Sequence, residues 1–286
     1  MILVADSGST KTDWIAQSAG LETIYQTVGF NPFFHDFDFV LKELKASSDL
    51  VSIQKEITQV FFFGAGCSSP ERIEHIKKPL AAFFSNATVI VEHDMLGCAL
   101  SVCEGKPGVA CILGTGSNTC YFDGNEIAHV RHGLGYVLGD EGSGSYFGKK
   151  ILTAYLYQIL PPGLNEAFGN SYRVTKEIAL QQVYKENHPN TYLASFAPFY
   201  SEFSSHPFII ELIKKGFREF YETNVMSYAE SKSVPVHFTG SIAWVFRDIL
   251  KEVSDEFEIK IGTVIRKPVN GLAAYFFSGG KMPGVR

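Results

Sequence analysis

Two loops of this chain carry the residue types that hold phosphate. They are Asp6-Ser7-Gly8-Ser9-Thr10-Lys11-Thr12, close to the start, and Gly114-Thr115-Gly116-Ser117-Asn118. Glycine lets backbone N–H groups approach an anion, and Ser and Thr hydroxyls add further donors. Neither loop is a GxxxxGK[ST] or a GxGxxG sequence. Each alone reads first as a hairpin turn. Two such loops at equivalent points of a repeated pattern favour a pair that approaches one polyphosphate from two sides.

Asp6 and Asp94 each follow an apolar run, "ILVA" and "ATVIVEH". Acidic residues at the carboxyl ends of strands face the crevice where α/β proteins bind ligands. One carboxylate suits the Mg²⁺ of a nucleotide, and the other suits a base for a hydroxyl nucleophile. Local sequence equally allows Asp94 to cap a following helix. The densest Gly/acid stretch is "RHGLGYVLGDEGSGSYFGKKIL", where glycines surround Asp140 and Glu141 just before a helix. Fixed carboxylates among glycines suit several ligand hydroxyls, although Asp140 or Ser143 also serves as a helix cap there. Thr239-Gly240-Ser241 is a strand-to-helix turn that allows an adenine or ribose to lie on the backbone, with Ser241 as the cap. Asn31, in "GFNPFF", is a loop residue able to donate or accept toward a ligand. His129 and His132 lack a third partner for a metal.

The elements that position these groups form an echo. Strands are expected at 2–5, 13–17 and 23–28, with turns between, and the same meander returns at 109–113, 119–122 and 126–130, about a hundred residues later. Helices and strands then alternate in both halves. The first half has helices at 37–50, 70–84 and 95–103 and strands at 59–63 and 88–91. The second has helices at 144–159, 174–186, 192–203, 207–228, 242–253 and 271–277 and strands at 234–239 and 258–261. Such alternation gives an α/β protein. The breaker Gly105-Lys106-Pro107-Gly108 marks a boundary, with the halves flanking a cleft.

The chain has 286 residues, is 45% hydrophobic and 19% charged, and carries a formal net charge of −5. That balance gives no electrostatic footprint for nucleic acid or an anionic membrane. No apolar window is long enough to cross a bilayer, and the apolar start without a basic region or cleavage site gives no expectation of a signal peptide. Five cysteines without a CxxC pair indicate reduced, buried thiols in a cytoplasm. The aromatic-rich second half offers a face for a homodimer.

The order of these motifs resembles the sugar kinase/hsp70/actin ATPase superfamily, and within it the N-acetylglucosamine kinase and BadF/BadG-type ATPase group. "DSGSTKT" is similar to that superfamily's first phosphate motif, "LGTGSN" to the second, "HFTGS" to the adenosine motif and "NGLAAY" to the second connecting helix. "GLGYVLGDEGS" is similar to the substrate segment of N-acetylglucosamine kinases. The resemblance implies two ribonuclease H-like domains in an actin-like ATPase fold: residues 1–107, and residues 108–269 with a helical insertion. The last segment, about 270–286, would return to the first domain. It implies an ATP-dependent kinase acting on an amino sugar at its 6-hydroxyl, with Asp94 as base. Mg²⁺ would be held through water near Asp6. The nucleotide would meet Asp6, Gly8, Ser9, Thr10, Lys11, Gly114, Thr115, Gly116, Gly240 and Ser241. The sugar would meet Asn31, Asn118, Gly133, Leu134, Gly135 and Asp140. Two rivals share the fold. One is an iron–sulfur ATPase that activates a radical dehydratase, for which Cys67 is the one loop cysteine to consider; the other is a non-catalytic sugar or nucleotide sensor.

Overall fold

The computed structural model describes residues 1–8, 10–18, 20–131 and 133–283. The chain divides into two compact units. The first comprises Met1–Lys106 and Gly124–Ile127, joined by the chain from Lys267 onward. Its elements are β1 (Ile2–Ser7), β2 (Lys11–Ser18), β3 (Leu21–Val28), α1 (Phe37–Ala46), α2 (Ser48–Ile53), β4 (Gln59–Gly64), α3 (Pro70–Phe83), β5 (Thr88–His93) and α4 (Asp94–Cys103). The sheet runs β3-β2-β1-β4-β5. The meander β1–β3 is antiparallel, while β4 and β5 add in parallel to β1.

Strand β4, "QVFFFG", is apolar at every position after the first because both faces of the sheet are covered. Phe62 turns to one face and packs with Trp14, Phe30 and Phe84. Phe61 and Phe63 turn to the other, where Phe63 lies against Gly97 of α4; a Cβ at that glycine would sit 2.7 Å from Phe63 Cβ.

The second unit holds Pro107–Asp123 and Ala128–Arg266. It contains β6 (Pro107–Leu113), β7 (Ser117–Asp123), β8 (Ile127–Arg131), α5 (Gly135–Leu138), α6 (Gly144–Leu156), α7 (Pro162–Tyr172), α8 (Lys176–Tyr184), α9 (Pro189–Ala194), α10 (Ala197–Glu202), α11 (Pro207–Thr223), β9 (Val236–Thr239), α12 (Ser241–Val245), α13 (Arg247–Glu256) and β10 (Ile261–Ile265). Its sheet order is β10-β9-β6-β7-β8. Read from the other edge, this is the strand order of the first sheet: β6 pairs antiparallel with β7, β8 follows at the edge, and β9 and β10 are added in parallel on the other side of β6. The helices between α6 and α11 enclose an aromatic core around Phe147, Phe168, Phe196 and Phe217.

The last helix, α14 (Pro268–Phe277), belongs to the first unit. It crosses α4 at Gly271, where a Cβ would lie 2.2 Å from Ser101 O. Its Phe276 stacks on Phe61 with ring centroids 4.0 Å apart. Among the described residues no helix is long and apolar enough to cross a membrane.

Several expected helices are divided. The span 37–50 breaks at Ser47, whose extended backbone ends α1 and whose hydroxyl accepts from Leu50 N to start α2. The span 192–203 separates into α9 and α10, each with a proline in its first turn. The span 242–253 breaks at Phe246. The strand expected at 258–261 lies at Ile261–Ile265, since Glu258 has φ of 53° and cannot continue an extended strand.

Candidate active site

In the first unit the carboxylates gather at one end of the sheet. Asp6 is near the carboxyl end of the central strand β1, between Asp13 of β2 and Phe63 of β4. Asp94 follows β5 and is the first residue of α4. Its carboxylate takes the N–H groups of Met95 and of Asp94 itself, yet burial outweighs them and pushes it up to about 6. Burial likewise pushes Asp6 up to about 7, aided by the charges of Asp94 and Asp13 and opposed by Lys11 and Lys267. Two acids that resist ionisation in one place form an environment that welcomes a cation.

The cap of α4 is His93, not Asp94: its Nδ1 accepts from Leu96 N at 3.2 Å. The Asp94 carboxylate bonds instead to the first two N–H groups of the helix, its own and that of Met95. Ser7 is buried and shares a 2.8 Å hydrogen bond with Thr12, while Phe30 N donates to the Ser7 hydroxyl at 2.9 Å. The first loop is therefore tied to the segment that leads to Asn31. Gly8 N donates to Lys11 O, and Thr10 O accepts from Gly29 N, which follows β3. Ser9, assigned to nucleotide by the sequence, lies outside the described residues, as does His132. Asn31 is buried, and its Oδ1 accepts from Phe33 N at 3.0 Å. Gly66, at φ +83°, lies so close that a Cβ would reach 2.8 Å from that same oxygen.

In the second unit the other loop is anchored by its own neighbours. Gly114 O and Thr115 O accept from Gly144 N and Ser145 N at 2.8 and 2.9 Å, so the loop carbonyls satisfy the open N-terminus of α6. Ser143, not Asp140, is the side-chain cap of α6, accepting from Tyr146 N. Asp140 has φ of 59° and accepts from Ser117 N at 3.2 Å. A Cβ on Gly116 would lie 3.0 Å from Asp140 Oδ2, so glycine admits the carboxylate to the loop. Burial raises the Asp140 carboxyl, with Ser117 N and the Ser145 hydroxyl acting against the rise.

Gly240 completes this group. Its φ is +113°, and a Cβ would lie 2.3 Å from Leu113 O and 3.1 Å from Gly114 N. The turn after β9 thus rests directly on the start of the second loop. Ser241 is inside α12 and makes no side-chain cap; Gly240 holds the cap position. Gly133 packs beside Asn118, whose Oδ1 accepts from Thr119 N. Gly135 opens α5, Lys149 Nζ donates to Tyr136 O at 2.9 Å, and Leu134, Val137 and Leu138 stay exposed.

The sequence-assigned residues thus form one group in each unit. Asp6, Gly8, Thr10, Lys11, Asn31 and Asp94 lie in the first; Gly114, Thr115, Gly116, Asn118, Gly133, Leu134, Gly135, Asp140, Gly240 and Ser241 lie in the second. Sequence reasoning missed Asp13, the register partner of Asp6, and Gln26 and Lys267, which both donate to the Asp13 carboxylate. An acid inside the apolar run of β2 is the signal that marks Asp13. Among the described residues no group of three or more His, Cys, Asp or Glu side chains could hold a metal. A carboxylate pair without a cage fits Mg²⁺, which keeps waters and binds chiefly through one or two carboxylates and substrate phosphates. None of the five cysteines forms a disulfide and all are buried; burial pushes the Cys67 thiol up to about 12, with Asp94 and Glu92 adding to the rise.

Comparison with known proteins finds similar structures over nearly the whole chain. A candidate N-acetylglucosamine kinase from Porphyromonas gingivalis is 37% identical, with TM-score 0.91, over 98% of this chain and 99% of that one. A candidate N-acetylglucosamine kinase from Chromobacterium violaceum is 17% identical, with TM-score 0.69, over 94% of this chain and 96% of that one. A ROK family glucokinase from Streptomyces griseus, in complex with glucose and AMPPNP, is 13% identical, with TM-score 0.54, over 96% and 98%. No family model and no curated protein matches the chain.

Proposed function

Because the chain belongs to the N-acetylglucosamine kinase-like group of the sugar kinase/hsp70/actin superfamily and is an ATP-dependent sugar kinase of two-domain actin-like fold, we propose that it phosphorylates the 6-hydroxyl of an N-acetylglucosamine-type amino sugar. Asp94 is the general base of this reading. The observation that carries it is the placement of Asp94 as the first residue of α4, its carboxyl pushed up to about 6 by burial in the group that holds Asp6. A carboxylate of that basicity accepts a hydroxyl proton near neutral pH better than an ordinary aspartate does.

Phosphoryl transfer asks for positioning and charge neutralisation more than for covalent catalysis. Asp94 orients the sugar hydroxyl and takes its proton as the new O–P bond forms and the β–γ bridge of ATP breaks, with ADP as leaving group. Lys11 and the hydroxyls of Thr10 and Thr115 meet the phosphates, while Gly114 and Gly116 allow close backbone approach. Gly240 supplies a bare backbone surface for the adenosine. Asn31 has its oxygen engaged by Phe33 N, so its amide N–H groups are the ones offered to the sugar. Asp140 accepts sugar hydroxyls while it anchors the second loop through Ser117. Asp6 would hold Mg²⁺ through water, supplying charge that offsets the phosphates. The amino-sugar preference is supported by the 37% identical relative, whose name gives N-acetylglucosamine as its substrate.

The test is ADP release, coupled to NADH oxidation, with N-acetylglucosamine, glucosamine, N-acetylmannosamine, N-acetylmuramic acid and glucose. An N-acetylated hexosamine gives the highest kcat/KM in this reading. Preference for glucose, or turnover indifferent to the acetyl group, contradicts it.

A further inference from the structure

The carboxylate of Asp13, 5 % exposed in the middle of β2, is shared by three donors. Gln26, its register partner on β3, donates to Oδ1 at 2.8 Å, and Lys267 Nζ reaches the same oxygen at 3.1 Å. Lys11 Nζ lies 3.1 Å from Oδ2. The two lysines come from distant parts of the chain. Lys11 begins β2, directly after the first loop, and Lys267 is the residue before α14. Burial raises the Asp13 carboxyl, but Gln26, Lys11 and Lys267 outweigh it and hold it below the usual carboxylate range.

A lysine paired to a buried carboxylate is a poor phosphate ligand unless the carboxylate has another cation to keep. Removing one partner of a buried pair leaves an uncompensated charge, which is costly. Here the second cation is present. When Lys11 turns away, Oδ1 retains both Gln26 and Lys267.

We propose that Lys267 is a positioning residue that releases Lys11 from Asp13, so that it sets nucleotide affinity without touching the nucleotide. The proposal rests on the reading of Lys11 as a phosphate ligand. It adds a device that couples the start of α14 to the first loop through one carboxylate. A lysine acting through its charge field alone would instead change affinity whether or not Lys11 is present.

Calorimetric titration with AMPPNP and Mg²⁺ separates these cases in the full-length protein. Lys267→Met weakens AMPPNP binding by about fivefold, the scale of one partly exposed ion pair, while Lys267→Arg retains wild-type affinity. In a Lys11→Met background, Lys267→Met has no further effect, because no lysine is left to release. The same holds in an Asp13→Asn background, with thermal melts confirming that each variant is folded. An equal loss in wild-type and Lys11→Met backgrounds overturns the release device, as does unchanged affinity in Lys267→Met alone. Unchanged affinity in Lys11→Met alone refutes the phosphate role of Lys11, and the release device falls with it.

Discussion

Asp6→Asn should stabilise the protein at neutral pH while removing its activity. The Asp6 carboxyl rises from an ordinary 3.8 to about 7, by burial first and then by the charges of Asp94 and Asp13. At about 1.36 kcal/mol per pH unit, that span is on the order of 4 kcal/mol withheld from the ionised folded state. Asp6 keeps a partly open edge, which lowers the expected gain to about 2 kcal/mol. The sign follows from proton counting. Between pH 4 and pH 7 the folded protein binds more protons here than the unfolded chain, so stability falls as pH rises across that window and stays low above it. Thermal unfolding by circular dichroism, without nucleotide or divalent cations, reads this directly. At pH 7.5 Asp6→Asn should melt roughly 4–8 °C above wild type, with the gap closing toward pH 5. Added Mg²⁺ and ADP should raise the melting point of wild type more than that of the variant. A variant that melts at or below wild type at pH 7.5, or a gap that does not change with pH, refutes the reasoning.

Two further outcomes follow from the site. Gly240→Ala places a Cβ 2.3 Å from Leu113 O at φ +113° and should cost about 2–4 kcal/mol in urea unfolding; nucleotide affinity should fall with it, since the clash moves the start of the second loop. The kcat/KM for the sugar, measured at saturating MgATP, should rise with pH through a limb near 6 as Asp94 loses its proton, and a flat profile from pH 5 to 8 would exclude that carboxylate as the base.

The duplicated plan was legible because its signals are local. The apolar run that opens β1, the turn at Asp123-Gly124 and the apolar run of β4 each depend on neighbours a few residues away. The two Gly/Ser/Thr loops were legible for the same reason. Other features depend on contacts that sequence distance hides. Lys267 meets Asp13 across 254 residues, and nothing near either residue marks the other. His93 and Asp94 both offer side chains to the first turn of α4, and His93 holds the cap position. In "EFEIKIGTVI" the alternation extends beyond one strand, so pairing with β9 fixes the strand at Ile261–Ile265. Helix α7 went unread because Pro161-Pro162-Gly163 looks like a breaker, whereas Pro162 opens the helix.

The central claim is that Asp94 accepts the proton of a sugar hydroxyl. Steady-state turnover of Asp94→Asn with N-acetylglucosamine and MgATP tests it most directly, alongside a melt to confirm folding. Loss of a general base predicts a fall in kcat of about 10²-fold or more, with KM for the sugar changed only a few-fold. Turnover within about threefold of wild type would contradict the account and move the base elsewhere.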